Sequence, residues 1–91
     1  MTLPTGTVTF LFTDIEGSTK LAQEHPDKMP ALLARHHEIL KRSIQTQNGH
    51  VFQIIGDAFC AAFHTAPDAF KAALAAQRAL VCEPWDPAPI K

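Results

Sequence analysis

Apolar and polar residues alternate along Thr7–Phe12, where Val8, Phe10 and Phe12 interleave with Thr7, Thr9 and Leu11. A period of two in β-branched and aromatic residues predicts a half-buried strand. The strand stops at Asp14, and Glu16-Gly17-Ser18-Thr19 supplies a turn and the cap of a helix. A brief helix over Lys20–Glu24 ends at His25-Pro26-Asp27, because proline disfavours helix in the residue before it. From Pro30 to about Gln47 the period changes to 3.6 residues. Leu33, His37, Leu40 and Ile44 form a stripe there, and Leu32, His36 and Ile39 widen it. Asn48-Gly49 closes this longer helix, since both residues tolerate left-handed backbone.

Two apolar runs, Val51–Ile55 and Ala58–Phe63, flank Gly56-Asp57 and predict a β-hairpin. The order Gly-Asp leaves its turn type open. Phe59, Ala61 and Phe63 share one face of the second strand, and Ala58, Cys60 and Ala62 share the other. Thr65-Ala66-Pro67-Asp68 opens a last helix, with Thr65 as cap, Pro67 early and Asp68 at the positive end of the dipole. Phe70, Leu74, Gln77 and Val81 mark one line of it, while its many alanines suit close packing on a sheet. Residues 84–91, with Pro84, Pro87 and Pro89, are expected to form an extended tail anchored by Trp85.

The order of elements predicts an α+β fold of the ferredoxin-like βαββαβ kind, stopping before the fourth strand. The first strand is then left with an unpaired edge. Ninety-one residues make one small domain, here read as a partial one over 1–91. At 46% apolar and 19% charged the composition is that of a soluble globular chain, not a disordered tail. A net charge of -1 gives no electrostatic reason to expect nucleic acid or an anionic membrane as partner. No apolar run approaches the roughly 20 residues of a membrane helix. Met1-Thr2-Leu3-Pro4 lacks the basic and apolar regions of a signal peptide, and two cysteines, Cys60 and Cys82, fit a reducing compartment. The expected location is cytoplasmic.

Two acids stand out by position. Asp14 ends the first strand and Asp57 sits in the hairpin, each beside small residues that leave room for a ligand. In a split βαβ sheet the first strand and the hairpin are neighbours, so the two carboxylates can meet at one end. Such a pair, with carbonyl or phosphate oxygens, suits Mg²⁺ or Mn²⁺. The backbone N–H groups of a helix start at Glu16–Thr19 offer an adjoining anion seat. The bland alternative is a helix-capping acid and a turn acid. The five histidines show no zinc spacing: His36 and His37 are adjacent and point about 100° apart on a helix.

FTDIEGST, an ALLARHHEILKRSI helix, NGHVF and IIGDAFCAAF, in this order, resemble the first half of a class III adenylate/guanylate cyclase catalytic domain of bacterial type. The similarity covers about Leu3 to Trp85. It implies that Asp14 and Asp57 bind two metal ions, Mg²⁺ or Mn²⁺, with the Ile15 carbonyl adding an oxygen. It implies too that the backbone of Glu16, Gly17, Ser18 and Thr19 holds a triphosphate. The implied reaction converts a nucleoside triphosphate to its 3′,5′-cyclic monophosphate and pyrophosphate, by in-line attack of a metal-activated ribose 3′-hydroxyl. Gln53 stands where adenylate cyclases of the family commonly carry a base-reading lysine, so ATP is favoured over GTP only slightly. The family's transition-state Asn and Arg belong to the half that would follow Lys91. Family sites form between two domains, so a homodimer or a complementary half is the expected partner, and the chain alone is expected to be inactive. Two other readings stand beside this one. The first is a non-catalytic nucleotide- or metal-binding or dimerisation module. The second is a receiver-like domain with Asp14 as phosphoacceptor, against which the hairpin argues.

Overall fold

The computed structural model describes residues 4–91; residues 1–3, the start of the lead-in, lie outside the described residues. The elements are β1 (Thr9–Phe12), α1 (Ser18–Glu24), α2 (Met29–Thr46), β2 (His50–Ile55), β3 (Ala58–Phe63) and α3 (Ala66–Cys82). The sheet runs β1-β3-β2, with β3 antiparallel to both neighbours. Two helices separate β1 from β2, and the hairpin strand β3 is inserted between them. This is the split βαβ arrangement of an α+β, ferredoxin-like fold.

The central strand decides where the core lies. Phe59, Ala61 and Phe63 are wholly buried against Ile39, Leu40 and Ile44 of α2 and Ala69, Ala72, Ala76 and Leu80 of α3. Each phenylalanine contributes about 1.5–3 kcal/mol by leaving water. The hairpin strands fall within one residue of their expected bounds. Ile55 pairs with Ala58 across the turn, and Gly56 alone of the two turn residues takes a positive φ, 61°. That combination is a type II′ turn, which matches the twist of paired strands. At the end of α2, Asn48 takes the left-handed conformation at φ 64°. Gly49 serves another purpose: a Cβ there would stand 2.5 Å from the Phe63 ring, so only glycine lets the chain pass the core at this point.

Three details of burial go beyond the sequence pattern or depart from it. In β1 the phenylalanines face outward, Phe10 56% and Phe12 67% exposed, while Leu11 packs on the core. Register is the cause. Thr9 and Leu11 stand opposite Phe63 and Ala61, whose face the helices cover. Phe10 and Phe12 stand opposite Ala62 and Cys60, on the face no helix covers. Phe10 lies 6.1 Å from Phe12 and 5.9 Å from Phe52, ring centre to ring centre, so the outer face carries an aromatic cluster. In α3 the alanine face is buried, as its suitability for close packing suggested, while Phe70 and Val81 of the marked line are exposed. Small side chains let α3 lie close to β3 and α2, where bulky ones would hold it away. In α2 the buried stripe is centred on Leu32, His36, Leu40 and Ser43, leaving Leu33 and His37 half-buried.

A second, smaller cluster lies under the loop between β1 and α1. Ile15, Met29, Leu32 and Ile90 are buried together there. Residues 83–91 carry no strand and fold back to reach it. The Trp85 Nε1–H donates to the Leu80 carbonyl at 2.8 Å, and Arg35 pairs with Glu83 at 2.8 Å. A hydrogen bond from that guanidinium holds the Glu83 carboxyl below its ordinary range. Among the described residues no helix is long and apolar enough to cross a membrane.

Candidate functional site

The two acids come together because the end of β1 is tied to the start of β3. Past the last strand residue, the Thr13 N–H donates to the Phe59 carbonyl at 3.0 Å, and the Phe59 N–H donates back to the Thr13 hydroxyl at 3.2 Å. Asp14 follows this double link directly, and Asp57, the second turn residue, is separated from it only by Ala58, the first residue of β3. The Asp14 carboxyl and the Ser18 side chain both lie close enough to Asp57 to act on its carboxyl. Partial burial, then the neighbouring Asp14 carboxyl, pushes the Asp57 carboxyl above its ordinary range, while Ser18 works in the opposite sense. Two like charges at such range disfavour full ionisation.

Asp14 also accepts the Ile15 N–H at 3.0 Å, which orients its carboxylate along the loop. Ile15 sinks its side chain into the smaller cluster and is 3% exposed, fixing the backbone between Asp14 and Glu16. Gly17 precedes α1 in left-handed geometry, φ 65° and ψ 29°, which glycine adopts without steric cost. No side chain caps α1, and its first turn holds no acid. The Glu16 N–H is already engaged by the Lys91 main-chain oxygen at 2.8 Å. The loop amides left to face a ligand are therefore those of Gly17, Ser18 and Thr19. Ser18, Thr19, Gly56 and Asp57 line an open cavity of about 550 Å³, whose apolar side includes Met29 and Leu33.

Gln53 stands apart from the acids. It lies in β2 in one cross-strand row with Cys60 and Phe12, exposed, beside a register irregularity between Val51 and Gln53. The histidines hold a surprise of geometry: His36 and His37 bring their Nδ1 atoms to 3.3 Å, because both rings turn edge-on to Phe59. Burial, then His37, lowers the His36 pKa to about 4, so its imidazole is neutral near pH 7. Among the described residues no group of three or more His, Cys, Asp or Glu side chains could hold a metal ion. Any ion at Asp14 and Asp57 would complete its shell with carbonyl, water or ligand oxygens.

Sequence reasoning missed the roles of Thr13, the Ser18 hydroxyl and Ile90. Thr13 left a signal, a hydroxyl residue immediately before the acid in the strand's end. Ile90 left none.

The sequence model described as the adenylate and guanylate cyclase catalytic domain matches residues 2–82. The chain belongs to that family. Adenylate cyclase from Neurospora crassa is 34% identical over 84 residues, which make up 92% of this chain and 4% of that protein. The receptor-type adenylate cyclase GRESAG 4.3 of Trypanosoma brucei brucei is 45% identical over 56 residues, 62% of this chain and 5% of that protein. Among solved structures, an adenylate cyclase from Trypanosoma brucei, described in its monomeric state, superposes with a TM-score of 0.84 at 34% identity. The match covers 87% of this chain and 34% of that one. A bacterial light-regulated adenylyl cyclase gives 0.75 at 27% identity, over 81% of this chain and 22% of that one. The cyclase relatives are thus far longer than the stretch they share with this chain.

Proposed function

We propose that this chain forms the metal- and phosphate-binding half of a nucleotide cyclase that turns a nucleoside triphosphate, ATP ahead of GTP, into a 3′,5′-cyclic nucleotide and pyrophosphate. The observation that carries this reading is the meeting of Asp14 and Asp57 beside the α1 loop, in a chain whose relatives are adenylate cyclases. The donor set fits Mg²⁺ or Mn²⁺. Both acids offer hard oxygens, their mutual repulsion favours a cation, and Mg²⁺ sites of this kind use one or two carboxylates with substrate phosphates and water. Two such ions, when bound, activate the ribose hydroxyl and neutralise the leaving pyrophosphate.

The chain's own residues supply position. Asp14 and Asp57 hold the ions, and the Ile15 carbonyl adds a donor on a backbone that its buried side chain keeps in place. Gly17, Ser18 and Thr19 present amides to the triphosphate. Gln53, with an amide that both donates and accepts, faces the base. The aromatic outer face of the sheet, with Phe10, Phe12 and Phe52 exposed, supports a second cyclase-type domain as the partner that completes the site. A non-catalytic nucleotide- or metal-binding module is the second reading, favoured by Gln53 in place of a base-reading lysine.

Calorimetry of an ATP analogue with Mn²⁺ tests the site. Binding by the parent and its loss in Asp57→Asn support the reading; equal binding by both overturns it. Cyclic nucleotide formation on mixing the chain with a complementary cyclase half separates the enzyme from the module.

A further inference from the structure

We infer that Ile90, seated by the returning segment 83–91, is a positioning residue for the Asp14–Gly17 loop. The inference rests on the reading of that loop as an ion and phosphate site. Four contacts carry it. Ile90 is 1% exposed and packs with Ile15, the residue whose backbone joins Asp14 to Glu16. The next residue, Lys91, accepts the Glu16 N–H through its main-chain oxygen at 2.8 Å. Upstream, Trp85 is fastened by its Nε1–H to the Leu80 carbonyl at 2.8 Å, and Glu83 is clamped by Arg35 at 2.8 Å. The segment is thus moored at its start on α2 and α3, and delivers one side chain and one main-chain oxygen to the loop.

The consequence is mechanical. The loop has no side-chain cap at α1 to hold it, and Gly17 can take several backbone conformations. What fixes it is the buried Ile15 on one side and the Glu16–Lys91 bond on the other. Removing the Ile90 side chain opens a void against Ile15 and frees the Glu16 amide, so the loop samples shapes in which Asp14 no longer faces Asp57. Contacts that orient metal ligands typically change affinity by 10–100-fold.

The test compares parent, Ile90→Ala and Ile90→Val in the full chain by Mn²⁺ titration, followed by electron paramagnetic resonance and by amide hydrogen exchange. Ile90→Ala is expected to weaken Mn²⁺ binding about 10-fold and to speed exchange at Glu16 by a similar factor. The amides of Ala61 and Phe63 in β3 should stay protected, and Ile90→Val should restore most of both effects. Trp85→Phe, which removes the Leu80 hydrogen bond and keeps a smaller aromatic ring in place, should give a smaller loss in the same direction. A parent that binds Mn²⁺ beside an Ile90→Ala variant that binds equally overturns the positioning role alone. Loss of protection at Ala61 and Phe63 together with Glu16 also overturns it, since the residue then only holds the fold. A parent that binds no Mn²⁺ overturns the ion site, and this role with it.

Discussion

Two helices in this chain begin in opposite ways. At α3 the Thr65 hydroxyl accepts the Asp68 N–H at 3.3 Å, proline sits in the first turn, and Asp68 meets the positive end of the dipole. Three local devices for opening a helix are used here together. At α1 none is used: Gly17 stands in the cap position with left-handed backbone, no side chain accepts a bond, and the first turn is free of acid. Asp14 and Asp57 cap no helix here and stand beside each other instead. A capped start is built for stability. An open one beside two carboxylates suits the ion and phosphate site proposed above.

The largest expected effect separates the two starts by function. Asp14→Ala or Asp57→Ala should reduce Mn²⁺-dependent nucleotide binding at least about 100-fold, with thermal unfolding no lower than in the parent, as calorimetry and melting curves would show. If Thr65→Ala weakened binding as much, the division of roles would be wrong.

Second in size is Gly17→Ala. At φ 65° an L side chain is strained, so a loss of about 1 kcal/mol in urea unfolding is expected, with weaker nucleotide binding alongside.

Stability against pH sharpens the contrast. Asp57 holds its proton more firmly folded than unfolded, so its contribution is complete below the ordinary value of 3.8 and is lost as pH rises through the raised one. Asp57→Asn should remove that loss. His36 acts with the opposite sign. Its folded pKa of about 4 lies under the ordinary 6.5, so its contribution is complete above 6.5 and is lost as pH falls through about 4. Urea unfolding at stepped pH should show less acid sensitivity in His36→Phe. The α3 start contributes no slope of this kind through Thr65.

The smallest effect belongs to the capped helix. Thr65→Ala should cost about 1 kcal/mol and leave Mn²⁺ and nucleotide binding unchanged in the same titrations.

What could be read from the sequence was what is decided locally. The Thr65 cap, the hairpin about Gly56-Asp57 and the left-handed Asn48 depend on neighbours along the chain, and all three stand where expected. The orientation of β1 does not. Phe10 and Phe12 alternate correctly, but which side of a strand is buried depends on which side the helices cover, and that was settled by pairing with β3. In α3 the alanines did signal close packing, and they take the inner face by allowing close approach rather than by hydrophobicity. The meeting of Asp14 and Asp57 was legible only through topology. The seat of Ile90 beside Ile15 joins opposite ends of the chain and leaves no periodicity to find.

The aromatic face of the sheet has a consequence for the chain's life outside the test tube. Phe10, Phe12, Phe52 and Ile55 lie open to water on one side of the molecule, and patches of this kind adhere to one another. A polypeptide released with that surface bare becomes stickier as it becomes more abundant, which caps the concentration at which it stays dispersed. Covering that face would remove the liability and let the chain stay dispersed at higher concentration.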